Sequence, residues 1–322
     1  MYDVLIIGAG PIGLACAIET EKNKLRYVVI EKGCLVNSIY NYPANMVFFS
    51  TSERLEIGGV PFISHGTKPT RTEALEYFRR VKSSWNLKVN SYEKVLSIQK
   101  ADGHFVITSE KNKYDAKNVI IATGFYDYPN MMNIPGENLK KVKHYYDDAH
   151  PYADQKVIVV GGGNSAVDVA LETYRRGADV TMILRKDKLD DGIKYWVRPD
   201  IENRIKEGAI KSFFNSELIE IREKEAVIKT PGNEMIIEND FVFAMTGYHP
   251  DFNFLKECGI EFSNDKSMIP FYDEASFETN VKGVFLAGVV CGGMETGKWF
   301  IENSRYHAEN IIKEIMGRQL KN

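Results

Sequence analysis

One feature constrains this chain more than any other: a turn that occurs twice. Residues 4–13 read VLIIGAGPIG and residues 157–166 read VIVVGGGNSA. Each is an apolar run that ends in closely spaced glycines and leads into a segment of helical character. A strand feeding a helix through such a turn leaves the first helical N–H groups open, and the helix dipole adds positive potential there. The turn therefore suits a phosphate. Two such turns in one chain predict two bound dinucleotides and electron transfer between them.

In the first turn Gly8, Gly10 and Gly13 form G-x-G-x-x-G. Gly8 permits the tight bend, Gly10 lets the backbone approach a pyrophosphate, and Gly13 lets helix and strand pack closely. Glu31 stands 23 residues after Gly8, where an acid accepts hydrogen bonds from ribose hydroxyls. Glycine-rich turns also serve purely structural ends, but here strand, turn, helix, second strand and acid agree. The second turn, Gly161-Gly162-Gly163-Asn164-Ser165-Ala166, reads G-x-G-x-x-A, and the same count lands on Leu184. Arg185 and Lys186 follow. Without the carboxylate nothing repels a 2′-phosphate, and a guanidinium binds one bidentately. This predicts NADPH over NADH, against the alternative of a solvated strand end.

The rest of the chain fits two nucleotide-binding units. Strands are predicted at 2–7 and 27–30, with a helix from Pro11 to about Lys22 between them. Residues 33–69 lack periodicity, and so long an irregular stretch is usually functional. A helix is predicted over 72–85, then strands from 87 to 121 with a turn at 101–103. The second unit begins near Lys156, with a crossover helix at 164–176 closed by Gly177 and a strand at 180–184. An amphipathic tail helix is predicted over about 297–316, packing Trp299, Ile301, Ile311 and Ile312. Two further apolar runs end alike, in Ile121-Ala122-Thr123-Gly124 and Ala244-Met245-Thr246-Gly247.

Composition excludes several classes. The 322 residues carry a net charge of −3, with both signs interspersed, which gives no footprint for nucleic acid or a membrane surface. No apolar run approaches a membrane span, and Asp3 with the glycines that follow does not make a signal peptide. The four cysteines, at 16, 34, 258 and 291, show neither C-x-x-C nor zinc-ligand spacing. A reducing, cytoplasmic setting is expected, and no metal.

With these residues in place, the chain resembles the thioredoxin-reductase-like flavoproteins over nearly its whole length. Within that superfamily it is similar to the bacillithiol-disulfide reductase family (YpdA-type). The likeness is carried by Glu31-Lys32-Gly33, by Asn37 to Pro43 (NSIYNYP), by Phe48-Phe49-Ser50 and by Leu55 to Gly58. His150-Pro151-Tyr152, the run 239–251 (NDFVFAMTGYHPD) and Phe300 to Asn303 add to it. The resemblance implies an α/β fold of two Rossmann-like, three-layer domains. The FAD domain would be discontinuous, residues 1–127 and 248–322, with an NADPH domain at 128–247 inserted. It implies FAD ligands at Gly8, Gly10, Pro11, Ile12, Gly13, Glu31, Lys32, Asn37, Asn41, Tyr42, Phe49, Ser50, Thr123, Gly124, Gly288 and Val289. For NADPH it implies Gly161 to Ser165, Arg185, Lys186, Thr246 and Gly247. It further implies hydride transfer from NADPH to FAD and on to a low-molecular-weight disulfide or a small redox protein, in a homodimer or homotetramer.

The chain departs from that pattern at two positions. Val289 follows Ala287-Gly288 where the superfamily usually has Asp, and Ile12 stands in the first turn where family members carry a cysteine proposed as redox-active. No cysteine lies between 128 and 160, so the C-x-x-C relay of thioredoxin reductases is absent. Two cysteines remain as catalytic candidates. Cys16 lies one helical turn beyond Ile12 but among Ala15, Ala17 and Ile18. Cys291 lies near the expected flavin edge. Packing is the alternative for both. The tail helix is expected to aim its positive end at the flavin. His144 and His150 suggest a hinge more than the motif of a flavin monooxygenase. A ferredoxin– or flavodoxin–NADP reductase, a general diaphorase, a flavin monooxygenase and a nucleotide-dependent redox sensor stay open as rivals.

Overall fold

The structure is a computed structural model and describes residues 1–319. The last three residues of the segment 248–322 thus lie outside the described residues. The chain forms two compact units, one of Met1–Tyr128 with Tyr248 onward and one of Pro129–Gly247. Tyr128 joins the first unit because its hydroxyl donates to Asp251 Oδ2 at 2.6 Å and its ring stacks on His249.

The first unit opens with β1 (Tyr2–Ile7), α1 (Pro11–Lys22) and β2 (Tyr27–Ile30). The last four residues of β1 and all of β2 are buried, the run of a strand covered on both faces. Next come α2 (Arg71–Ser84), β3 (Val89–Asn90), β4 (Val95–Ala101), β5 (His104–Ser109) and β6 (Lys113–Ile121). Thr70 and Glu73 cap α2 reciprocally, each side chain accepting the other's backbone N–H. The strand order is β3-β2-β1-β6-β5-β4, and the late strand Val284–Leu286 also pairs with β6. Parallel register sets Ile7 level with Ile30 and with Ile121. The loops that begin at Gly8, Glu31 and Ala122 therefore leave the sheet along one edge, at its carboxyl ends, where open α/β sheets bind ligands.

The second unit repeats the plan with β7 (Lys156–Val160), α3 (Asn164–Arg175), β8 (Asp179–Ile183) and β9 (Phe241–Ala244). β7 lies between β8 and β9, all parallel, with Val160 level with Ile183 and Ala244. Side chains alternate along β7. Val157 and Val159 pack with Val167 and Ala170 on the helical side. Ile158 and Val160 pack with Leu218 and Ile228 of the antiparallel strands Glu217–Ile221 and Glu225–Lys229. Each fully buried side chain of this kind contributes roughly 1.5–3 kcal/mol. Helices, parallel sheet and antiparallel strands give the three layers anticipated from the sequence.

Two segments differ from their predicted form. Residues 33–69 contain two single-turn helices, Asn37–Tyr40 and Ser52–Leu55. The segment after the second is pinned by α2 and its C-cap: the N–H of Ile57 donates to Tyr77 Oη at 2.8 Å, and Trp85 Nε1 donates to the Gly58 carbonyl at 2.9 Å. The tail is two helices, Ile301–Ser304 and His307–Gln319, rather than one. Ser304 Oγ donates back to the Phe300 carbonyl, a bond that bends helices. Arg305 meanwhile donates to the Glu56 carbonyl at 2.6 Å, and His307 turns inward to stack on Phe277. The long helix expected from about 297 is not formed, and the single turn Ile301–Ser304 sums few peptide dipoles. Among the described residues no helix is long and apolar enough to cross a membrane.

Candidate functional site

The first glycine turn is built by close contact. Gly8 N–H donates to the Ile30 carbonyl and Ala122 N–H to the Ile7 carbonyl, both at 2.8 Å, so the sheet continues into the turn. Gly8 adopts φ +102°, and a Cβ there would stand 2.5 Å from the Ala122 oxygen. A Cβ on Gly13 would stand 1.9 Å from the Gly8 oxygen, so Gly13 packs helix onto strand. Gly10 behaves differently: a Cβ there would meet nothing within 4 Å, and no side chain caps α1. The open helix end faces a cleft of about 1260 Å³, its open mouth included, within the first unit.

Glu31 closes one end of this cleft. Its Oε2 accepts from Ala9 N–H at 2.7 Å and its Oε1 from Gly33 N–H at 2.9 Å. Burial pushes its pKa up, opposed by those two backbone donors and by Lys32. An ionised carboxylate has about four acceptor positions, so this one keeps capacity for ribose hydroxyls. Cleft, open helix end and acid together fit an adenine dinucleotide.

Of the sequence-derived FAD set, Gly8, Gly10, Pro11, Ile12, Glu31, Lys32, Asn37, Tyr42, Thr123, Gly124, Gly288 and Val289 line the cleft. Gly13 lies behind the turn. Asn41, Phe49 and Ser50 are not on the lining. The Asn41 amide donates to the Asn37 carbonyl at 2.8 Å, and the exposed Phe49 ring lies under the Lys68 ammonium. Sequence reasoning missed Lys94, Asp251, Phe254 and the run Phe125–Tyr128. That run directly follows Thr123-Gly124, so extending the motif would have found it. Within that run Asp127 pairs with Lys32 at 2.6 Å.

No cysteine lines the cleft. Ile12 fills the position of the missing thiol and packs against Gly288, whose Cβ position is 3.1 Å from Ile12 Cγ1. Cys16 and Cys291 are fully buried, and burial drives both thiols far above their ordinary pKa. A thiolate is the reactive form, and burial disfavours it at both positions. Cys34 is partly buried beside Asn37, and burial raises its pKa also. Cys291 Sγ lies 3.9 Å from His307 Nδ1, which accepts the Gly288 N–H at 3.2 Å. Burial pushes the pKa of His307 down to about 4, so the ring is neutral and holds the 288–289 turn as an acceptor.

The second turn copies the first. Gly161 N–H donates to the Ile183 carbonyl at 3.0 Å and Met245 N–H to the Val160 carbonyl at 2.9 Å. Gly161 adopts φ +130°, and a Cβ there would stand 2.4 Å from the Met245 oxygen. Ala166 takes the place of Gly13. Leu184, in the place of Glu31, is buried against Gly162. Arg185 is exposed and makes no ion pair or hydrogen bond among the described residues, whereas Lys186 pairs with Asp190 at 2.6 Å. Asn164 bonds to the loop at 192–194, and Ser165 is exposed. Thr246 Oγ1 donates to the Asn130 carbonyl at 2.6 Å, and Gly247 accepts from Asn130 N–H at 2.9 Å. Tyr146 is buried with its hydroxyl on Glu172, and His150 is exposed in a turn of 3-10 helix.

Residues 5–288 match the pyridine nucleotide-disulphide oxidoreductase family. The chain belongs to that family. It is 46% identical over 317 residues to the bacilliredoxin reductase Bdr of Bacillus subtilis, covering 98% of each chain. A solved bacillithiol disulfide reductase Bdr from Bacillus cereus superimposes with a TM-score of 0.97 at 44% identity, over 98% of this chain and 99% of that one. Thioredoxin reductase from Lactococcus lactis, at 22% identity and a TM-score of 0.79 over the whole of both chains, shares the fold. The protein is thus an oxidoreductase of thioredoxin-reductase-like fold, with FAD and a pyridine nucleotide as cofactors.

Proposed function

We propose that this oxidoreductase carries electrons from NADPH through FAD to a low-molecular-weight disulfide of the bacillithiol type, without a protein thiol as relay. In balance, NADPH, one proton and the disulfide give NADP⁺ and two thiols. The observation that carries the reading is the cleft of the first unit, which has a bare helix end and a buried acid but no cysteine in its wall. The likeness to reductases named for bacillithiol disulfide and bacilliredoxin supports the acceptor class.

In this reading the first unit is the FAD domain and the unit 129–247 the NADPH domain. FAD, when bound, supplies a ring that takes up a hydride equivalent and gives the electrons on. The chain's own residues bind and orient it. The turn at Gly8, Gly10, Pro11 and Ile12 takes the pyrophosphate, Glu31 the ribose, and Lys32, Asn37, Tyr42, Thr123, Gly124, Gly288 and Val289 the remaining walls. Asn41, Phe49 and Ser50 act from outside the lining, by supporting the segment that carries Asn37 and Tyr42. In the second unit Gly161 to Ser165 take the NADPH pyrophosphate and Arg185 the 2′-phosphate, while Thr246 and Gly247 fix the end of the sheet. The assembly is a homodimer or homotetramer in the cytoplasm.

Anaerobic mixing with NADPH tests the first half, since failure to bleach the flavin would refute it. An acceptor screen tests the second. Turnover with bacillithiol disulfide supports the assignment. Reduction of ferredoxin with no disulfide-dependent NADPH consumption overturns it.

A further inference from the structure

The two glycine turns differ in what stands over them. Above Gly10 there is open space, but a Cβ on Gly163, its counterpart, would lie 3.3 Å from Asp190 Oδ2. Gly163 is the N-cap of the 12-residue helix α3, with no side-chain cap of its own. A carboxylate thus stands at the helix end that favours anions. Asp190 is held there by its own N–H, which donates to the Gly162 carbonyl at 3.0 Å, and by Lys186 Nζ, 2.6 Å from Oδ1. Its loop is tied down as well. Asn164 Nδ2 donates to the Gly192 carbonyl at 2.8 Å, and Lys194 N–H donates to Asn164 Oδ1 at 2.9 Å.

Stability does not account for this arrangement. Lys186 and Asp190 are 69% and 39% exposed, and ion pairs so exposed contribute little to stability. What the pair does have is position. Its acid covers the helix end, and its ammonium belongs to the Arg185-Lys186 step that follows Leu184, the residue in the place of Glu31.

We infer that Asp190 is an internal anion that covers the second glycine turn and withholds Lys186, so that an incoming dinucleotide must displace it. The inference rests on the reading of this turn as the NADPH site. A pyrophosphate and the Asp190 carboxylate compete for the same helix end, and a 2′-phosphate and the same carboxylate compete for Lys186. NADPH would occupy the helix end and take up Lys186, whereas NADH would occupy the helix end alone. The contact also favours departure of the oxidised dinucleotide, because the carboxylate is tethered beside the groups it reclaims.

Calorimetric titration of the FAD-loaded protein with NADP⁺ and NAD⁺ tests this without turnover. Asp190→Asn should tighten both ligands about three- to fivefold, the size of one exposed ion pair. Lys186→Gln breaks the same pair but also removes a phosphate partner, so it should tighten NAD⁺ and weaken NADP⁺. A merely structural ion pair would move both variants alike. Unchanged or weaker binding in Asp190→Asn overturns the inference. Arg185→Ala separates it from the site reading. If Arg185→Ala weakens NADP⁺ while Asp190→Asn has no effect, the inference alone fails. If the parent protein binds neither dinucleotide, the reading of the turn fails and the inference with it.

Discussion

The two glycine turns share one backbone design, and three of their differences bear on the ligand. Both begin with a left-handed glycine pressed against the end of a neighbouring strand, at Ala122 in one unit and Met245 in the other. Where the first has Gly13, the second tolerates Ala166. Where the first has Glu31, folded back onto Ala9, the second has the apolar Leu184. Where the first opens onto a cleft, the second is covered by Asp190. The backbone thus accounts for the capacity to hold a diphosphate, and these side chains account for which dinucleotide is held and how readily it enters.

The largest effect expected from breaking this comparison lies at its tightest contact. Gly13→Ala forces a methyl to within 1.9 Å of a backbone oxygen. It should cost about 3 kcal/mol or more, seen as a large fall in Tm and loss of the yellow colour. Ala166→Gly at the matching site should cost no more than about 1 kcal/mol. Equal effects would mean that the turns do not correspond.

Acid should separate the units next. The 288–289 turn of the first unit depends on neutral His307, whereas Thr246 and Asn130 hold the second. The unfolded chain binds a proton at His307 near pH 6.5 and the folded chain only near 4. Unfolding therefore takes up a proton between those values, and stability falls as pH falls through that window. The loss approaches about 3 kcal/mol at pH 4. Thermal melts from pH 7 to 4 should show the first unit weakening first, and His307→Asn, which keeps an acceptor, should flatten the profile.

Smaller and more selective changes sharpen the contrast in ligands. Glu31→Ala should weaken FAD binding about ten- to a hundredfold, the worth of charge-assisted hydrogen bonds, and leave NADP⁺ binding intact. Arg185→Ala should do the reverse, weakening NADP⁺ about tenfold and leaving FAD and NAD⁺ unaffected. Equilibrium dialysis for FAD and calorimetry for the nicotinamides would read both.

The parts of the site legible in the sequence are those fixed by counting along a single βαβ unit. Gly8, Gly10, Gly13 and Glu31 lie within 24 consecutive residues, and their roles follow from spacing alone. Burial of Cys16 was legible too, from the small and apolar residues around it. Lys94, Asp251 and Phe254 were not, because strand pairing and the chain's late return bring them to the cleft. The break in the tail at Arg305 and Tyr306 was illegible for the same reason. Helical periodicity continues through it, and contacts with Glu56 and Phe277, distant in sequence, decide the bend. Asp190 reads in sequence as an ordinary partner four residues from a lysine. Only the fold brings its carboxylate over Gly163.

The proposed function requires that electrons leave the flavin without a protein thiol. A variant with Cys16, Cys34, Cys258 and Cys291 all changed to alanine tests this directly, in NADPH-dependent reduction of bacillithiol disulfide followed at 340 nm. Its turnover rate should stay within about twofold of the parent's, since neither fully buried thiol is poised to ionise. Loss of disulfide turnover, with flavin reduction by NADPH preserved, would contradict the proposed function.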